Sequence, residues 1–132
     1  MLNNNKYRSQ SRLDGTAQST KDISFDQFVL EVISDDPPKR AQIGRQFNFL
    51  TDGKTQVMAN HIFAYEAQDD FLMFLSERLQ EPVKIAPRNI SPKVEAPLSE
   101  TTFARLKEVR AADFILYNEI MDKGGHLETP AP

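Results

Sequence analysis

Apolar residues recur at helical spacing in three stretches of the chain and alternate over only one short stretch. Phe25, Phe28, Val29, Val32 and Ile33 share one face of a 3.6-residue helix. Ser24, with Gln27 three residues on, is the capping-box pattern that opens such a helix. Asp35-Asp36-Pro37-Pro38 ends it, because a residue before proline is pushed out of the helical region. A second stripe, Phe71, Phe74, Leu75 and Leu79, follows a helix opening at Ala67-Gln68-Asp69-Asp70. The third, Phe103, Leu106, Val109, Ala112, Leu116 and Ile120, predicts one long helix capped by Ser99 and stopped at Lys123-Gly124-Gly125. Residues 56 to 63 predict a short strand with Val57, Ile62 and Phe63 buried. From Lys39 to Gln56 no period dominates: Phe47, Phe49 and Leu50 precede Thr51-Asp52-Gly53-Lys54, which reads as a turn.

The polar stretches set the expected boundaries. Residues 1–22 are rich in Asn, Ser, Gln and Thr and predict a flexible polar arm, since they offer little apolar surface to offset ordering. Residues 23–123 hold the periodic segments, and 124–132 are expected to be a loose tail. Pro82, Pro87, Pro92 and Pro97 punctuate an extended link with few ladder donors. The expected fold is therefore mainly helical with one or few short strands, a partial α/β arrangement. A lone strand makes no sheet, so its partner must come from missed strands between residues 40 and 56 or from outside this chain.

Composition narrows the function classes. The 132 residues suit one domain, and 39% hydrophobic against 27% charged is a lean supply for its core. A formal net charge of −3 argues against nucleic acid or an anionic membrane as main partner, because both need a basic face. With no cysteine, disulfides and thiolate metal sites are excluded. The longest apolar runs, such as Ile62 to Tyr65, are too short to span a bilayer, and Met1-Leu2-Asn3-Asn4-Asn5-Lys6 lacks the apolar core of a signal peptide. A cytoplasmic location is the expectation.

Three ordered blocks carry a family likeness. The first is Ile23-Ser24-Phe25-Asp26-Gln27-Phe28-Val29. The second is Ile62-Phe63-Ala64-Tyr65-Glu66 with Asp69-Asp70-Phe71 and Leu75. The third is Ala86-Pro87-Arg88-Asn89-Ile90-Ser91, then Leu98-Ser99 and Ala111-Ala112-Asp113-Phe114-Ile115-Leu116-Tyr117. Over residues 23 to 121 the chain resembles the C-terminal half of a sulfotransferase dependent on 3′-phosphoadenosine 5′-phosphosulfate (PAPS), in the carbohydrate sulfotransferase-like branch. The resemblance implies the C-terminal part of the family's P-loop-like α/β fold. It also implies transfer of a sulfuryl group from PAPS, as co-substrate, to a hydroxyl of a carbohydrate or similar acceptor. On the same resemblance, Tyr65 contacts the adenine, and Asn89 and Ser91 bond its edge.

The chain departs from that family where the chemistry lies. No Pro-Lys-x-Gly-type phosphate loop is present, and no Arg-Asn-Pro or Arg-Asp-Pro segment with a following Arg and Ser. Arg8-Ser9 and Arg12 fall in the polar arm and do not fit. No residue is assigned a catalytic role and no metal is expected. The reading is a fragment, inactive alone, whose partner is an N-terminal sulfotransferase half or a second copy paired through an open strand edge. The alternative is a non-catalytic helical interaction module.

Structural roles compete at each candidate. Tyr65 suits a core or rim aromatic, its ring packed and its hydroxyl wet. Glu66 suits a carboxylate accepting backbone donors at a helix start, and Asp69 and Asp70 are helix-start residues. His61 alternates with Ile62 on the strand, and neither an orienting partner nor a nucleophile is identifiable for it. Lys84 and Arg88 read as solvated loop charges. Asp113 and Tyr117, four apart on one helix face, are expected to anchor that helix by hydrogen bonds.

Overall fold

The computed structural model describes residues 19–87 and 93–130. It is mainly helical with a two-stranded antiparallel sheet. The described residues form two compact units, 19–43 with 94–110, and 44–87 with 93 and 111–130.

The first unit opens with α1, Phe25–Val32. Ser24 sits at the N-cap with φ −71° and ψ 162°, and its Oγ accepts from the Gln27 N–H at 3.1 Å. Helical spacing then buries Val29 and Ile33, while Phe25 stays 44% exposed. The helix ends at Val32, ahead of Asp35-Asp36-Pro37-Pro38; the Ser34 N–H and Oγ both bond the Glu31 carbonyl, at 3.2 and 2.8 Å. A 3-10 turn over Lys39–Ala41 buries Ala41 and swings Arg40 onto Glu31, in a two-pronged pair of 2.7 and 2.6 Å.

The second helix of this unit belongs to the stretch expected to be one long helix. The backbone leaves helical geometry at Arg110, with φ −110° and ψ 27°. The prediction of one helix is thereby corrected to two, Glu100–Val109 here and Ala111–Asp122 in the other unit. Periodicity alone could not show the break, since the apolar spacing runs through it. The Arg110 guanidinium donates to the Val32 carbonyl at 3.2 Å, and so caps the end of α1.

The second unit contains, in order, α2 (Gln46–Leu50), β1 (His61–Phe63), α3 (Gln68–Leu79), α5 (Ala111–Asp122) and β2 (His126–Glu128); the helix Glu100–Val109 of the first unit is α4. The Thr51-Asp52-Gly53-Lys54 turn forms as expected. Asp52 Oδ1 accepts from the N–H groups of Lys54, Thr55 and Gln56 at 2.9, 3.1 and 3.1 Å, and Gly53 takes φ +79°. The strand predicted over 56–63 is shorter: Val57 makes an isolated bridge to Thr51, and the ladder holds only His61–Phe63.

The expectations of a loose tail and of a strand partner from residues 40–56 or outside the chain are corrected by β2. His61, Ile62 and Phe63 pair antiparallel with Glu128, Leu127 and His126. The reversal is made by two glycines. Gly124 N–H bonds the Met121 carbonyl and Gly125 N–H the Ile120 carbonyl, both at 2.9 Å, with φ +79° and +91°. That nested pair is the Schellman stop, and left-handed backbone is cheap only for glycine. The Lys123-Gly124-Gly125 stop is therefore observed, and it doubles as the feed into β2.

Side chains alternate across this small sheet, so it packs on both faces. Ile62 and Leu127 join Ala64, Leu116 and Ile120 in the buried cluster, with Phe47, Leu50 and Val57 against it. On the opposite face, Phe63 stacks on His126 with centroids 4.0 Å apart and meets Phe71 and Phe74 of α3 at 5.4 and 5.3 Å.

Candidate functional site

The site is built where α2, β1 and α5 of the second unit surround a cavity of about 600 Å³. Its floor is apolar, with Ile62, Leu116 and Ile120. Five aromatic residues line it, Phe47, Phe49, Phe63, Tyr65 and Tyr117, together with two carboxylates, Glu66 and Asp113.

Asp113 positions α2. Its Oδ1 accepts from the Phe47 N–H at 3.0 Å, across 66 residues of sequence. The helix needs this, because Arg45 at its N-cap makes no side-chain capping bond, and the first N–H groups of a helix have no internal acceptor. Oδ2 of the same carboxylate is sealed from solvent and has no hydrogen-bond partner among the described residues. One turn further along α5, Tyr117 Oη donates to Glu66 Oε1 at 2.9 Å. That bond holds the phenol above its ordinary value, with desolvation and repulsion by the Glu66 charge adding to it. The expected anchoring by Asp113 and Tyr117 is thus seen. Glu66, expected to accept backbone donors at a helix start, accepts a phenol instead.

Tyr65 opens a 3-10 turn over Tyr65–Ala67 and stands at the rim of the cavity, 82% exposed. Asn89 and Ser91 lie outside the described residues. Asp69 and Asp70 occupy the first turn of α3. Among the described residues, no group of three or more His, Asp or Glu side chains is placed to hold a metal ion.

Sequence reasoning missed the partner of His61. Its Nδ1 lies 3.1 Å from Nε2 of His126, and its ring lies 4.6 Å from that of Phe74. The two histidines are 65 residues apart, and only the unforeseen β2 brings them together. In the first unit, Thr102 was missed as a buried position. Its hydroxyl donates to Asp26 Oδ2 at 2.8 Å, while Asp26 Oδ1 accepts from the Ser99 N–H at 2.7 Å. The signal was an acid in the first turn of one helix and a Ser-x-x-Thr start in another, but nothing local joins them.

No protein-family model, no curated protein and no solved structure matches this chain.

Proposed function

We propose that this chain is the C-terminal portion of a PAPS-dependent sulfotransferase of the carbohydrate-acting kind, and that it works with an N-terminal half carrying the phosphosulfate loop. The observation that carries the reading is the bond from Tyr117 Oη to Glu66 Oε1, 2.9 Å. It joins the aromatic-Glu pair of the second sequence block to the Asp-Phe-x-x-Tyr end of the third. Parts of the second and third blocks thus meet in one site. In this reading Tyr65 contacts the adenine from the rim, and Asn89 and Ser91 bond its edge.

The division of labour follows from the residues present. Sulfuryl transfer requires donors aimed at the charge developing on the leaving oxygens, and an acceptor held in line. The cavity offers carboxylates and rings, with no Lys, Arg or His among the described residues that line it. It therefore serves nucleotide positioning, and the anionic phosphosulfate is held by the other half.

Calorimetric titration with adenosine 3′,5′-bisphosphate tests this, using the full chain mixed with such an N-terminal half. Saturable binding is expected, weakened about tenfold by Tyr65→Ala, since stacking of a base on a ring contributes about 1–3 kcal/mol. Absence of binding in the mixture, or binding indifferent to Tyr65→Ala, would sink the proposal.

A further inference from the structure

We propose that the His61–His126 pair is an acid-sensitive latch, which holds β2 to β1 while the two rings carry at most one added proton and releases β2 when a second arrives. The latch belongs to the second unit alone and operates whatever the cavity of α2, β1 and α5 binds.

Geometry sets the proton limit. His61 Nδ1 and His126 Nε2 lie 3.1 Å apart, with ring centroids 5.3 Å apart, so the rings meet nitrogen to nitrogen. One ring must donate and the other accept. Two neutral rings meet that demand. One neutral and one protonated ring meet it better, through a charge-assisted bond. Two protonated rings fail it, because every nitrogen is then a donor and two like charges face each other at hydrogen-bond distance.

The surroundings hold the rings at this separation. His126 stacks on Phe63 with centroids 4.0 Å apart, and His61 packs on Phe74 at 4.6 Å. Among the described residues, Arg78 of α3 and Glu128 of β2 are the charged groups that line the cleft beside His61. Glu128 stands opposite His61 in the ladder and offsets one positive charge. The Arg78 guanidinium, 5.3 Å from the Phe74 ring centroid, opposes a further one. α5 packs on the other face of the sheet through Leu116 and Ile120, and its Asp113 lines the other cavity.

The latched strand is short. Its ladder has three residue pairs, flanked by bonds from the Ala64 N–H to the Gly125 carbonyl and from the Thr129 N–H to the Asn60 carbonyl, both 2.8 Å. Leu127 packs with Ile62, Leu116 and Ile120, so release of β2 loosens the floor of the cavity. The released chain takes two protons where the latched chain takes one. The latched form therefore loses stability as pH falls through the ordinary histidine range, about 6.5.

The test is an NMR titration of the 132-residue chain, whose two histidines are its only ones, from about pH 8 to 4.5. The pair should titrate in two steps, the second delayed by about one pH unit or more. Protection of the Ala64 and Thr129 amides against exchange should fall about tenfold over that range, the equivalent of one unit in proton affinity. The Ile33 amide of α1, bonded to the Val29 carbonyl, should keep its protection. His126→Phe, which keeps a ring beside Phe63 and takes no proton, and His61→Gln should each abolish the fall. Where a variant does not fold, the two-step titration of the unaltered chain decides. Two independent single-step titrations overturn the latch, as does constant protection at Ala64 and Thr129, or a fall that persists in both variants.

Discussion

The two units are held together by different physics. The first buries little apolar surface: Val29, Ile33 and Ala41 are its buried apolar residues among those described. It relies on side-chain clasps, with Asp26 gripping Ser99 and Thr102, Glu31 gripping Arg40, and Arg110 closing on the Val32 carbonyl. The second has a contiguous buried cluster of Ile62, Ala64, Leu116, Ile120 and Leu127, plus an aromatic layer on the far side of its sheet. Only the second carries the cavity lined by Asp113 and Glu66. Polar clasps are sensitive to pH and contribute little each, whereas apolar packing is insensitive to pH and loses several kcal/mol per truncated side chain. The candidate site thus sits on the unit with the stiffer support.

The largest predicted effect strikes that support. Ile120→Ala, at 5% exposure in the buried cluster, should cost about 2–5 kcal/mol, measured by urea unfolding. A cost below that of a clasp deletion in the first unit would erase the contrast. Gly125→Ala comes next. Its new Cβ would stand 2.8 Å from Ala67 Cβ on a backbone with φ +91°, which should cost about 1–3 kcal/mol and weaken the β1–β2 ladder seen by hydrogen exchange.

Ser99→Ala removes the cap of α4, whose Oγ accepts from the Thr102 N–H at 3.2 Å, and should cost about 1 kcal/mol. The same clasp carries a pH signature. The Ser99 N–H, then the Thr102 and Ser99 hydroxyls, hold Asp26 below its ordinary value of 3.8. A depressed folded value means stability that is complete above 3.8 and lost as pH falls through the lower folded value. Residue-resolved exchange between pH 5 and 2 should show this loss in the first unit, and Thr102→Val should shift the Asp26 titration back toward 3.8. The smallest effect concerns Tyr117, whose raised phenol contributes stability below 10.0 that disappears as pH rises through the folded value. Ultraviolet titration should show Tyr117 ionising above 10.0, returned toward that value by Glu66→Gln.

Much of the first unit and the ends of helices were legible in sequence, because those features are local. Ser24 and Ser99 announce caps, and Lys123-Gly124-Gly125 announces a stop. Two features were illegible because they are made by residues far apart, and a third because the apolar spacing runs through it. Phe47 becomes the start of a helix only when Asp113 supplies its acceptor. His126-Leu127-Glu128 is too short and too polar to read as a strand until β1 stands opposite. The break at Arg110 interrupts an unbroken apolar period. In the site, Tyr65, Glu66, Asp113 and Tyr117 could each be singled out by residue type, but their meeting in one cavity is a property of the folded chain.

The central claim, that this chain completes a PAPS site with an N-terminal half, is tested most directly by the amide spectrum of the isotope-labelled chain. With that half and adenosine 3′,5′-bisphosphate both added, the account predicts shifts at Tyr65, Asn89 and Ser91 that neither addition produces alone. A spectrum unchanged by the two together would contradict it.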